Sequence, residues 1–185
     1  MQTTADDDMT RDSRRHRLAY KLMAHKARSR TITAMTGLSP DQQRMLRQRW
    51  SISERMRPRG AAPVSLSRFT CSRQARSEGA SLAKICRDYG LLLPEALAAI
   101  CQPEPVSLDL GERLFQAYET FCVRFPQGRL QFEDLINFIL GITKNEVIGL
   151  GQCALCDATV LIDRRDSRQP TCDRCERAAG TRGPK

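Results

Sequence analysis

Four cysteines near the C-terminus constrain this chain more than any other feature. Cys153-Ala154-Leu155-Cys156 and Cys172-Asp173-Arg174-Cys175 form two C-x2-C pairs separated by fifteen residues, the spacing of a four-thiolate zinc site. Each pair closes as a tight knuckle that sets two sulfurs on one edge of a tetrahedron. Between them the β-prone run Thr159-Val160-Leu161-Ile162 is expected to make a hairpin that brings the second knuckle to the first. Four soft thiolates leave no open position for water, so the reading is one structural Zn2+ per chain, held by Cys153, Cys156, Cys172 and Cys175. Apparent binding energy of ~10–16 kcal/mol would then hold together a tail too small to fold alone. An iron–sulfur centre is the other use of four thiolates. A redox pair would be expected beside a βαβ pattern, and disulfides would imply secretion. Cys71, Cys86, Cys101 and Cys122 stand singly on expected helices and read as buried small apolar residues.

Charge is segregated along the chain. Residues 11–90 hold 19 Lys or Arg against five acids, a net of +14, and 16 of the 19 are Arg. Residues 1–10 carry three acids and no base, residues 91–150 a net of −4, and residues 151–185 a net of +2. Asymmetry of this size, within a formal charge of +9, favours a polyanionic partner. Arginine also forms bidentate pairs with phosphates and guanine edges. Aromatics are only 5% of the residues, with a single Trp at Trp50, which disfavours a single-strand binder that stacks bases on aromatic side chains.

The hydrophobic pattern is helical almost throughout. Leu18, Leu22, Ile32 and Met35 keep spacings of three and four, predicting an amphipathic helix from Arg11 to about Met35, broken near Ser29. After the turn Thr36-Gly37-Leu38-Ser39, Ser39 can cap a helix that starts at Pro40 and ends near Trp50. Met45, Leu46 and Trp50 are expected to face inward, and Arg44, Arg47 and Arg49 outward. Pro58 to Pro63 reads as a linker. Further helices are expected over Ser65 to Ala75, Leu82 to Tyr89, Pro94 to Ile100 and Leu108 to Val123, the last with Leu110, Leu114, Tyr118 and Cys122 at steps of four. Leu130 to Leu140 is apolar enough for a core helix.

The sequence contains no Gly-rich phosphate loop, no G-x-S-x-G and no H-E-x-x-H, so an enzyme is not expected. His16 and His25 read as surface residues, and Glu133-Asp134 as solvated charge. No run of ~18 apolar residues is present, and Asp6, Asp7 and Asp8 stand where a signal peptide would be apolar, so the expected location is cytoplasmic, with no membrane contact.

Taken in order, these pieces resemble the FlhC family, subunits of the flagellar master transcriptional activator, from about His16 to Arg177. Family members carry a T-G-L-S turn before a basic helix, matched by Thr36 to Ser39 and by Arg44-Met45-Leu46-Arg47. They continue with a Pro-rich connector, matched by Pro58 to Pro63, and a segment ending in Phe, matched by Pro63 to Phe69. Ala117-Tyr118 stands where the family has an A-Y pair, and the four C-terminal cysteines fall on its zinc ligands. Arg68 departs from the family, which usually has Trp before that Phe. The resemblance implies a DNA-binding subunit that works in a hetero-oligomer with an FlhD-like partner, on double-stranded promoter DNA and with RNA polymerase, to activate flagellar operons.

The expected organisation is mainly α. An acidic, disordered N-terminus (1–10) precedes a basic DNA-binding region (11–90) with a helix-turn-helix-like part. A helical core and partner-docking region (91–150), a zinc-binding region (151–178) and a flexible tail (179–185) follow. The residues expected to contact DNA are Arg44, Arg47, Arg49, Arg55, Arg57, Arg59, Arg68, Arg73 and Arg76. The alternatives are a zinc-ribbon adaptor that docks a protein, and an RNA-binding protein.

Overall fold

The computed structural model describes residues 3–58, 60, 65–102, 105–128, 130–167 and 169–180. Among these the protein is mainly helical. Its helices are α1 (Thr3–Ala24), α2 (Ser29–Thr36), α3 (Pro40–Arg49), α4 (Arg73–Asp88), α5 (Pro94–Cys101), α6 (Leu108–Arg124), α7 (Phe132–Lys144) and α8 (Asp173–Gly180). Two strands, β1 (Ile148–Gln152) and β2 (Thr159–Asp163), pair antiparallel with Leu150 opposite Leu161. Single turns of 3-10 helix cover Glu54–Met56 and Leu66–Phe69.

Helix α6 lies at the centre, with α1, α2, α4 and α7 packed on it. The step-four stripe does what its spacing requires: Leu110, Leu114 and Tyr118 are buried and Cys122 is half-buried. Phe115, Phe132 and Phe138 are fully buried around it, and Phe115, Tyr118 and Phe132 stack with centroids 5.5 to 5.9 Å apart, within the range of favourable aromatic pairs.

Three expectations are corrected. The acidic stretch expected to be disordered belongs to α1, which starts at Thr3; the sequence has neither Gly nor Pro before Gly37, so nothing interrupts the helix on that side. The helices expected over Ser65 to Ala75 and Leu82 to Tyr89 are instead a 3-10 turn and one continuous α4 that runs through Gly79. A Cβ at Gly79 would stand 2.6 Å from Leu161 Cδ2, so this glycine lets β2 lie against the helix rather than ending it. The hairpin forms on a different partner: β2 pairs with β1, which precedes the first knuckle, so Cys153 to Cys156 lie in the hairpin connection.

Residues 29–49 make two short helices joined by a three-residue turn. Gly37 takes φ +72° as the left-handed cap of α2, a conformation that costs a glycine little. Ser39 and Gln42 then form a reciprocal capping box on α3, with Pro40 at the first helical position. Buried Gln43 joins the pieces, its Nε2 reaching Ser29 O at 3.1 Å, Thr33 Oγ1 at 2.8 Å and Leu38 O at 3.0 Å.

Candidate functional site

The four sulfurs of Cys153, Cys156, Cys172 and Cys175 all lie within 4.8 Å of one another. Cys156 and Cys172, from different knuckles, approach to 3.6 Å, close to the ~3.8 Å edge of a tetrahedron with ~2.3 Å metal–sulfur bonds. Local backbone bonds build this cluster. Cys153 N donates to Ala158 O at 2.8 Å and Asp157 N to Cys153 O at 2.9 Å, which closes the first knuckle with Asp157 at φ +57°. Ala154 N donates to Pro170 O at 2.9 Å and ties the two knuckles together.

The thiols of the cluster are shifted in opposite directions. The backbone N–H groups of Cys172 and Leu155 lower the Cys153 thiol to about 6, the first of them donating to its sulfur at 3.3 Å. Cys175 is pushed up to about 12, first by its contacts with the Cys156 and Cys172 thiols and then by burial. Sulfurs this close cannot all ionise together without a positive charge between them, and a divalent metal supplies it. The four cysteines are therefore positioned to hold a metal ion.

Helix α8, which begins at the second knuckle, is fastened to α4 by charge. Glu176 receives Arg73 Nε at 2.9 Å and Arg76 at 3.5 Å, and Arg73 also lies 3.8 Å from Asp173. Asp173 pairs with Arg177, which lowers its pKa. On the other side β2 packs along α4, and Asp163 accepts from Thr70 Oγ1 at 3.2 Å.

The arginines expected on DNA divide into three groups. Arg44, Arg49, Arg55 and Arg57 are exposed, with Arg44 paired to Asp41 at 3.1 Å one turn earlier. Arg47 is only 5% exposed. The inward stripe of α3 is Gln43, Leu46, Arg47 and Trp50, so Arg47 faces the protein while Met45, expected inside, is 66% exposed. Arg68, Arg73 and Arg76 are engaged within the protein: Arg68 reaches buried Asp134 at 2.5 Å, and the other two hold α8. Their partners lie too far away in sequence for local patterning to reveal them. Arg59 and most of the Pro58 to Pro63 linker lie outside the described residues.

Two other readings change. Glu133 and Asp134, read as solvated, are buried, and Glu133 accepts from Arg28 N at 2.7 Å. Of the four single cysteines Cys86 is buried, but Cys71 and Cys101 are exposed. No described helix is long and apolar enough to cross a membrane. Sequence reasoning missed Lys84, Arg87, Arg124 and Arg174, which with Arg73 and Arg76 line a groove of about 580 Å3 between α4, β2 and α8; only the helical spacing of Arg73, Arg76, Lys84 and Arg87 on α4 could have signalled it. Compared with known families and with curated proteins, the chain matches no family model and no curated sequence.

Proposed function

We propose that this chain is a DNA-binding subunit of a transcriptional activator, shaped by one structural Zn2+ and acting in the cytoplasm with an FlhD-like partner and RNA polymerase on flagellar promoter DNA. The observation that carries the reading is the outward face of α3. Arg44 and Arg49 project from a short helix that the capping box starts and Gln43 ties to α2, and exposed Arg55 and Arg57 extend the charge. A helix with arginines on its free face is the geometry that enters a major groove. The resemblance to the FlhC family supports the partner and the promoter class. Zinc is favoured because the knuckles carry four thiolates and no nitrogen or oxygen ligand, a closed set that suits a structural ion.

Co-expression with an FlhD-like protein tests the reading. A co-purifying hetero-oligomer that carries zinc and protects a flagellar promoter from cleavage is the expected outcome. A chain that purifies alone, or a complex that protects RNA or no nucleic acid, would contradict it in favour of an RNA-binding protein or a protein adaptor.

A further inference from the structure

We propose that the groove between α4, β2 and α8 binds the phosphodiester backbone of duplex DNA, at a position separate from α3. The proposal rests on the reading of the chain as DNA-binding and adds side chains which that reading does not use.

One wall of the groove is a single stripe of α4, whose opposite face, with Leu82, Ile85 and Cys86, is buried in the core. Arg73, Arg76, Lys84 and Arg87 lie along this stripe, and Arg124 and Arg174 face it from α6 and α8. The acids of the groove are matched within it. Glu176 takes Arg73 and Arg76, Asp88 takes Lys84 at 3.0 Å, and Asp173 takes Arg177. Arg87, Arg124 and Arg174 are then the excess positive charge, and all three are exposed. The Arg124 guanidinium carbon lies 5.9 Å from the centroid of the Phe125 ring, a cation–π contact that steadies the group through its face and leaves its N–H edge for a phosphate.

The shape selects the ligand. Arg73 and Arg87 are fourteen residues apart, about 21 Å along a helix at 1.5 Å per residue. That equals the rise of about six base pairs at ~3.4 Å each. A long wall edged by unmatched arginines from α4, α6 and α8 suits successive phosphates of one strand rather than a single phosphate. Between the basic ends the stripe carries Ser77, Ala80 and Ser81, small enough for a backbone to approach the helix. Such contacts fix position and contribute affinity without reading sequence. Because α8 forms one side, the groove joins the metal centre to nucleic-acid binding.

The test uses the full-length, zinc-loaded chain and fluorescence anisotropy with a labelled duplex, its scrambled counterpart and duplex RNA of the same sequence, each at several salt concentrations. Arg87→Gln/Arg124→Gln/Arg174→Gln should weaken both DNA duplexes by about tenfold or more at low salt and flatten the log K against log salt slope by about 2–3, at ~0.9 per phosphate. Ser81→Glu should weaken both as well. Zinc content and thermal midpoint should match the wild type in both variants, since these positions face the groove. In the same assay Arg44→Ala/Arg49→Ala should alter discrimination between the duplexes instead. Wild-type affinity and slope in both groove variants would overturn the groove proposal and leave DNA binding through α3 standing. A wild-type chain that binds no duplex DNA at low salt would overturn both, and tighter, groove-dependent binding of the RNA duplex would overturn DNA as the occupant.

Discussion

The Arg68 guanidinium lies 2.5 Å from Asp134 Oδ2, and Asp134 is 2% exposed. The same carboxylate oxygen accepts the N–H of Gln131 at 2.7 Å in the capping box of α7. One arginine therefore neutralises a buried acid that also starts a core helix. Arg68→Ala should strand that charge and cost about 2–3 kcal/mol, below the ~3–5 of a fully buried pair because the Arg68 side chain is 34% exposed. Urea denaturation measures this, and Arg68→Ala/Asp134→Leu should recover part of the loss. An Arg68→Ala protein of unchanged stability but weakened DNA binding would return Arg68 to the nucleic-acid surface.

Gln43 controls the α2–α3 pair. From α3 its amide group donates to acceptors on α2 and in the turn, so Gln43→Ala should cost about 1–3 kcal/mol through unsatisfied buried carbonyls. Thermal melting checks the loss. If the pair presents α3 to DNA, discrimination between cognate and scrambled duplexes should fall as well, even where the variant remains folded.

Exposure separates the arginines of α3. Arg44→Ala/Arg49→Ala should lower affinity for the cognate duplex by about 1–3 kcal/mol per lost base contact and leave the melting temperature nearly unchanged. Arg47→Ala should act the other way, destabilising the protein by about 1–3 kcal/mol through lost packing of its buried stem with little effect on the salt slope. Equal effects of the two variants on DNA binding would contradict the orientation of this helix.

Thiol alkylation maps the cysteines. At mildly alkaline pH exposed Cys71 and Cys101 should react first, and Cys86, whose burial pushes its thiol up to about 12, should stay protected until the protein unfolds. Native mass spectrometry should find one zinc per chain, and removing it with a chelator should make Cys153, Cys156, Cys172 and Cys175 reactive. Slow labelling of these four in the metal-free protein would contradict a metal-dependent fold.

Local chemistry was readable from the sequence and long-range pairing was not. The knuckles, the Ser39 cap and the inner stripe of α6 each depend on residues within a few positions of one another, and each stands where the sequence places it. The phase of α3 was misread because its inward stripe includes Gln43 and Arg47, polar side chains that an apolar pattern assigns to solvent. Strand β1, Ile-Gly-Leu-Gly-Gln, has little strand propensity of its own and forms because β2 offers a ladder. Arg68, Arg73 and Arg76 looked like free cations because Asp134 and Glu176 follow them by 66 to 103 residues. Their charge fixes α7 and α8 to the helical body.

The most direct test of the account is equilibrium binding of the zinc-loaded complex with an FlhD-like partner to a flagellar promoter duplex and to its scrambled counterpart at near-physiological salt. The account predicts saturable binding that prefers the promoter by about 10³-fold or more, the lower range for specific over non-specific complexes, and a preference that collapses in Arg44→Ala/Arg49→Ala while the complex stays assembled. Equal affinity for the two duplexes, or a preference untouched by those substitutions, would contradict it.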